Sequence, residues 1–119
     1  MTLSRIAVIG AGITGLTCAR LLAQAGLAPV VFDKGRGLGG RLATRRAGEG
    51  LQFDHGAPFV TATDPGFVSL LDGAMEEGAA ARWPLRDPVG SVTYVGLPGM
   101  SGLLRPLAKG LDIRNGATV

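Results

Sequence analysis

The apolar positions of the first 33 residues predict a strand, a helix and a second strand. Residues 5–9 form a nearly unbroken apolar run, which is typical of a strand buried on both faces in a parallel sheet. After a glycine-rich turn, a helix with Arg20 and Gln24 on its polar side is predicted to end at Gly26. Its apolar face comprises Leu16, Ala19, Leu22 and Ala23. A buried strand over residues 29–32 follows and ends at Asp33.

The pattern beyond Asp33 predicts shorter elements. Asp64 and Pro65 suit the N-cap and first turn of a helix that ends at residues 76–78. Its apolar face comprises Phe67, Val68, Leu71, Ala74 and Met75. A shorter helix over residues 101–109 is weakened by Pro106. Strands are predicted at 42–46, 51–54, 82–85, 92–95 and 111–114, the last followed by a hairpin-like turn at Asn115 and Gly116.

The turn between the first strand and helix has the pattern GxGxxG. In a dinucleotide-binding unit, Gly10 would permit the tight turn, Gly12 would let a diphosphate approach the backbone, and Gly15 would let helix and strand pack closely. The free amides near Ile13 and Thr14 would point at the ligand from the positive end of the helix dipole. This context favours dinucleotide binding over a purely structural glycine-rich turn.

Asp33 lies 18 residues after Gly15, at the end of the second predicted strand. A carboxylate at this place can accept hydrogen bonds from ribose hydroxyls. It would repel a 2′-phosphate, so FAD or NAD suits the site better than NADP. The alternative is that Asp33 only caps the loop that follows it.

Composition and charge point to a small anionic ligand. The chain has 20 glycines in 119 residues, where average usage would give about 8. The net charge is +3, but residues 34–46 hold five basic and no acidic side chains, so the remainder carries −2. Nucleic-acid binding normally needs a broader basic surface. A phosphate group at the second glycine-rich loop, where Arg36 and Arg41 flank Gly39 and Gly40, is therefore the expected partner.

The order of these motifs resembles a known family. GxGxxG, the acid, and then Gly39, Gly40 and Arg41 look like the FAD-binding signature of the flavin amine oxidase superfamily. Residues 54–59, 61–67 and 94–101 are similar to its renalase-like bacterial branch. The resemblance implies an α/β, Rossmann-like FAD/NAD(P)-binding βαβ fold with the start of a second, mixed α+β substrate domain. It also implies an FAD-dependent oxidoreductase that moves a hydride from a reduced nicotinamide isomer or an amine to flavin, with oxygen as acceptor.

The family's sequence pattern matches this chain at some positions and departs from it at others. Asp33 stands where the family more often has Glu. The family usually continues with Gln-Tyr-Phe where this chain has Pro58, Phe59 and Val60, so only backbone contacts from this segment are expected. Lys34 and Arg36 are candidates for adenosine or phosphate contacts. The expected cofactor-binding residues are Gly10, Gly12, Ile13, Thr14, Gly15, Asp33, Lys34, Arg36, Gly39, Gly40, Arg41, Ala57, Pro58 and Phe59.

The resemblance also divides the chain. Residues 1–56 are expected to form the FAD-binding unit with its Gly-Gly-Arg loop, and residues 57–119 the start of the substrate-facing region and a return segment. Because members of the superfamily are several hundred residues long and no later βαβ unit finishes the sheet, we expect a fragment that is inactive alone and could form a homodimer through uncovered surface. The alternatives are an NAD-dependent dehydrogenase domain and a non-catalytic nucleotide-binding fragment.

None of the remaining reactive, aromatic or charged side chains is identified as a catalytic residue. His55 has two interpretations, a direct role or a turn-stabilising side chain. Cys18 is expected to be a small packed residue. Trp83 and Tyr94 could face an active site, although packing is the simpler role, and Arg45 with Arg46 suit either a solvated strand or a ligand. With one Cys and one His, no zinc site is expected. A single Cys and the absence of a membrane-spanning run favour a soluble cytoplasmic protein.

Overall fold

The protein is described here by a computed structural model, which covers residues 5–84 and 90–119. Within them the strands are β1 (Ile6–Ile9), β2 (Pro29–Phe32), β3 (Thr44–Arg46), β4 (Gln52–Asp54), β5 (Val60–Ala62), β6 (Ala80–Arg82), β7 (Val92–Gly96) and β8 (Asp112–Arg114). The α-helices are α1 (Ile13–Gln24), α2 (Pro65–Glu76) and α3 (Arg105–Ala108). Short 3₁₀ turns cover Gly40–Leu42 and Met100–Leu104.

The first sheet is parallel and has the order β1-β2-β8. Val31 in the central strand is fully buried, but Ile9 in β1 is 59% exposed. The prediction that β1 is buried on both faces is therefore wrong, because β1 lies at the edge of the sheet in the described structure. A later segment of the chain also extends this sheet. Strand β8 pairs with β2, with Ile113 opposite Val31.

Helix α1 packs on this sheet much as its apolar spacing predicts. Leu16 and Ala19 are fully buried. The helix ends in a Schellman motif, because Gly26 has a φ of 82° and the Leu27 amide donates to the Leu22 carbonyl at 3.0 Å. The predicted packing of Cys18 is wrong. Its side chain is exposed, because a position two residues after Leu16 points about 200° away around the helix.

The second sheet is the antiparallel hairpin β3-β4, in which Thr44 pairs with Asp54. Its existence was predicted, but β3 begins at Thr44 because residues 40–42 form a 3₁₀ turn instead of strand. The connection uses Glu49 and Gly50 with φ of 63° and 76°. The hairpin follows directly on the second glycine-rich loop and so fixes where that loop ends.

The third sheet has the order β5-β7-β6, is antiparallel, and is covered by α2. Asp64 caps α2 as predicted, since its Oδ2 accepts from the Phe67 amide at 3.0 Å. Strand β5 was not predicted. Strand β6 begins at Ala80, two residues before the predicted start, and the predicted strand end at Leu85 lies outside the described residues.

The last part of the chain returns to the first sheet. The helix predicted over 101–109 is divided into a 3₁₀ turn and α3, and Pro106 lies in the first turn of α3, where it removes no helical hydrogen bond. The predicted hairpin at Asn115 and Gly116 is wrong. Instead, the amides of Gly116 and Ala117 donate to the carbonyls of Gly35 and Asp33, both at 2.9 Å. No helix in the described ranges is long and apolar enough to cross a bilayer.

Candidate nucleotide-binding site

Two glycine-rich loops, residues 10–15 and 35–41, meet at the carboxyl end of the parallel sheet. The Gly39 amide donates to the Ala11 carbonyl at 3.2 Å. Gly40 faces the first loop so closely that a Cβ there would lie 3.5 Å from the Cα of Gly12. Ligands of open parallel sheets bind at this edge. The two loops predicted to line a diphosphate therefore form one backbone surface.

Three glycines of these loops are required by geometry. Gly10 has a φ of 102° and Gly39 a φ of 145°, conformations that favour glycine. A Cβ at Gly15 would overlap the carbonyl oxygen of Gly10, so Gly15 permits the close contact of α1 with the first loop, as predicted. Gly12 is different: its φ is −85° and a Cβ would lie 3.8 Å from the Gly39 oxygen. The fold alone does not require glycine at position 12.

The N-terminus of α1 lies where the two glycine loops meet. Gly12 is its N-cap, no side chain caps the helix, and the first turn has no acidic residue. Within the described ranges, no acceptor contacts the first-turn amides of Ile13 and Thr14. These amides and the helix dipole form an environment that stabilises a negatively charged group.

Asp33 joins both loops through its carboxylate. Oδ2 accepts from the Ala11 amide and Oδ1 from the Gly35 amide, each at 2.7 Å. The capping role considered as an alternative is thus present. Because each carboxylate oxygen offers about two acceptor positions, this role leaves capacity for ribose hydroxyls. The backbone of Asp33 is held by β8, since its amide donates to the Arg114 carbonyl at 3.0 Å.

The segment expected beside the flavin is attached to the second loop. The Ala57 amide donates to the Arg41 carbonyl at 2.9 Å, and Gly56 lies so close to the same carbonyl that a Cβ has no room. Phe59 then makes an edge-to-face contact with Trp83, with ring centroids 5.8 Å apart. Pro58 is exposed at this place. Trp83 is 42% exposed, so it packs on Phe59 at the surface and not in the core.

The basic cluster of the sequence divides in the structure. Lys34 and Arg41 are exposed beside the glycine loops. Arg36 and Arg46 instead line a cleft of about 820 Å³ together with Arg105. Arg105 was not among the predicted residues, because nothing in its spacing connects it with residues 36–46. Alternation along β3 was the available signal for Arg46, since it places Thr44 and Arg46 on one face and Arg45 on the other.

Tyr94 is a core residue with a polar contact, so the packing interpretation of this side chain is confirmed. It is fully buried, and its phenol donates to Asp72 Oδ1 at 2.7 Å. Burial raises the pKa of Tyr94 above its usual value of 10.0, and the hydrogen bond and charge of Asp72 raise it further, while Arg82 lowers it. Arg82 lies 3.6 Å from the same carboxylate oxygen and 5.9 Å from the centre of the ring.

The other candidate side chains do not form a catalytic group. His55 is exposed, and no hydrogen bond from its side chain occurs in the part of the chain that the structure describes, so the turn-stabilising interpretation gains no support. Residues 5–84 and 90–119 contain no cluster of three or more His, Cys, Asp or Glu side chains suited to a metal ion.

Comparison with known families agrees with this geometry. A family model described as an NAD(P)-binding Rossmann-like domain matches residues 8–73, which is more than half of the chain. The chain belongs to this family. The matched residues include both glycine-rich loops, Asp33 and the segment up to α2. The predicted α/β, Rossmann-like fold is therefore confirmed.

The chain is similar to several individual proteins, two of which are named as oxidases. The chain is 32% identical to mouse renalase over 117 residues, covering 87% of this chain and 34% of that protein. It is 41% identical to protoporphyrinogen oxidase 2 of Arabidopsis thaliana over 68 residues, covering 57% of this chain and 13% of that protein. A solved structure of putrescine oxidase bound to putrescine has a TM-score of 0.53 and 28% identity, covering 67% of this chain and 17% of that one.

These likenesses confirm the predicted relationship to renalase and to the flavin amine oxidase superfamily. The chain spans about a third of the renalase length and less than a fifth of the length of the other two proteins. The renalase match extends over most of this chain. Two of these three relatives are named as oxidases.

Proposed function

We propose that this chain is the FAD-binding part of an FAD-dependent oxidoreductase of the renalase and amine oxidase kind. The observation that carries the proposal is the joining of two glycine loops, through Gly39 and Ala11, at the uncapped N-terminus of α1. A simple NAD-binding βαβ unit needs only the first loop. The second loop adds backbone and the Arg41 guanidinium around one diphosphate.

Each residue of the proposed site has a distinct task. The amides of Ile13 and Thr14 would hold the diphosphate, and Gly12 and Gly40 would leave room for it. Asp33 would accept from ribose hydroxyls, while Lys34 would contact the adenosine or phosphate end. The backbone of residues 57–59 would lie beside the flavin ring. FAD itself would supply the hydride-accepting chemistry, and the protein its binding and orientation.

The finer reaction is part of the proposal. The whole protein would transfer a hydride from a reduced nicotinamide isomer or an amine to flavin, with oxygen as the final acceptor. Residues 1–56 would bind FAD, residues 57–119 would begin the substrate-facing region, and β8 would return to support Asp33. The exposed face and edge of β1 suit a covering partner, such as a second copy of the chain.

The test compares two glycine-to-alanine variants. Gly12→Ala adds a Cβ that the protein itself accommodates, 3.8 Å from its nearest contact, but that would meet an approaching diphosphate. Gly73→Ala is the matched control, because Gly73 is exposed in α2 and an added Cβ would meet no atom within 4 Å. We expect the wild type and Gly73→Ala to bind FAD, seen as a shifted flavin absorbance band, and Gly12→Ala to bind at least about tenfold more weakly.

Two results would contradict the proposal. Equal FAD affinity of all three proteins would show that the first glycine loop does not line the FAD site. Calorimetric binding of NAD without any FAD affinity would favour the alternative of an NAD-dependent dehydrogenase domain, for which GxGxxG and Asp33 suffice. Turnover is not expected from this chain alone, in keeping with the share of its relatives that it covers.

A further inference from the structure

A cleft lined by three arginines adjoins residues 36–38 of the second glycine-rich loop. Arg36 contributes from the second loop, Arg46 from β3, and Arg105 from the start of α3. The lining includes no acidic residue and none of residues 10–15, 33, 39–41 or 57. The cleft therefore differs in its residues from the proposed FAD site.

The positions of these guanidinium groups are set by the fold. Arg105 is held at the cleft because its Nη2 donates to the Leu97 carbonyl at 2.8 Å, which leaves its other N–H groups for a ligand. Arg46 and Thr44 share one face of β3, whereas Arg45 is absent from the lining and lies on the opposite face. No acceptor for the side chains of Arg36 or Arg46 occurs within the described ranges.

The floor of the cleft is polar, and its hydrogen-bonding groups have partners within the protein. Thr44 Oγ1 donates to Asp54 Oδ1 at 2.7 Å and accepts from the Ser101 amide at 3.1 Å. The same Asp54 oxygen accepts from the Met100 amide at 2.9 Å, so this acidic side chain behind the floor is bound by two donors. Gly99 and Gly102 also line the cleft, and each packs too closely on its neighbour, Thr44 or the Leu97 carbonyl, to leave room for a Cβ.

We propose that this cleft is a second anion-binding site, which takes a small molecule with two or more phosphate groups. Three guanidinium groups on separate elements exceed what one phosphate can neutralise, and they match the charge of a diphosphate. A volume of about 820 Å³ is in the range of small-molecule sites. Arg36, expected from the sequence to serve the cofactor, belongs to this second site.

The test uses inorganic pyrophosphate as the probe, measured by calorimetry on protein saturated with FAD. Arg46→Gln should lower pyrophosphate affinity about tenfold, the value of one charge-assisted hydrogen bond. Arg45→Gln is the matched control with the same loss of charge one residue away, and it should change the affinity by less than about twofold, because screened surface charges contribute little. Adenosine, which lacks phosphate, should not bind.

Three outcomes would overturn the proposal. These are the absence of pyrophosphate binding, an equal loss in Arg45→Gln and Arg46→Gln, and displacement of pyrophosphate by FAD. The test remains informative if the protein binds no FAD. In that case Gly12→Ala should leave pyrophosphate affinity unchanged while Arg46→Gln lowers it, and the opposite result would place the anion at the glycine loops instead.

Discussion

Single side chains connect neighbouring elements in this molecule, and Asp33 and Tyr94 are examples. Asp33 accepts from the amides of Ala11 and Gly35 and so connects the two glycine loops. Tyr94 in β7 donates to Asp72 in α2 and so connects the third sheet to its helix. Asp33 and Tyr94 were both singled out from the sequence. The pairing of Tyr94 with Asp72 was not predicted, because the two residues are 22 positions apart. The side chains of Cys18 and Trp83 are likewise more exposed to solvent than their residue types predict.

Tyr94 should make the stability of the protein depend on pH at the alkaline end. Its pKa is raised in the folded state, so the unfolded chain loses this proton first as the pH rises. The contribution of Tyr94 is therefore complete below about pH 10 and is lost as the pH rises from there through the folded pKa. We expect the free energy of unfolding, measured with urea, to fall more steeply above about pH 10 in the wild type than in Tyr94→Phe.

The same experiment has an internal check. Tyr94 is the only tyrosine, so the tyrosinate absorbance of the native protein reports this group alone, and it should appear only above the usual value of 10.0. Tyr94→Phe should also lose about 1 kcal/mol at neutral pH through the missing hydrogen bond. Native tyrosinate appearing at or below the usual pKa would contradict the buried phenol.

At the scale of elements, periodicity predicted β1, α1, β2, the β3-β4 hairpin and α2 because each is fixed by local signals. Gly26 and Asp64 mark helix ends through their own backbone and side-chain chemistry. Strand β5 was not predicted, because the three residues that follow Pro58 and Phe59 show too little alternation to be distinguished from a loop. Its pairing with β7 is a tertiary contact that the segment does not encode by itself.

Two glycines of the first loop should respond differently to the same substitution. In Gly15→Ala the new Cβ would overlap the Gly10 carbonyl oxygen, so α1 and the loop must separate, and we expect a loss of about 3 kcal/mol in the free energy of unfolding. In Gly12→Ala the Cβ has room, and the change should stay within about 0.5 kcal/mol. Urea unfolding of both variants measures the difference, and equal stabilities would refute the close contact of helix and loop.

At the scale of the whole molecule, segments distant in sequence complete the first sheet and its helix layer. Strand β8 pairs with β2, and Arg20 in α1 donates to the carbonyls of Pro106 and Lys109 at 2.7 and 2.6 Å. Arg20 was predicted on a polar helix face, and a strand was predicted at 111–114 within a return segment, but the partner of neither was predicted. Neither contact could be predicted, since helical and strand periods describe which face is apolar but not which distant segment meets it.

Replacing Arg20 tests this long-range connection. Arg20→Met keeps the length of the side chain but leaves two carbonyls without their charged donor, so we expect a loss of about 1 to 3 kcal/mol in the free energy of unfolding. Arg45→Met is the control, because Arg45 is exposed and its side chain makes no hydrogen bond in the part of the chain that the structure describes. Similar urea midpoints for the two variants would show that the contact with α3 adds no stability.

The pairing of β2 with β8 has a consequence for the timing of folding during synthesis. Asp33 leaves the ribosome about 80 residues before Arg114, the residue whose carbonyl binds its amide. At translation rates of about 5 to 20 residues per second, the loop at Asp33 waits roughly 4 to 16 s for that partner. During this interval β2 has an unpaired edge on the side that β8 will occupy. The nascent chain thus passes through a stage in which both glycine loops exist but one of their supports has not yet been made.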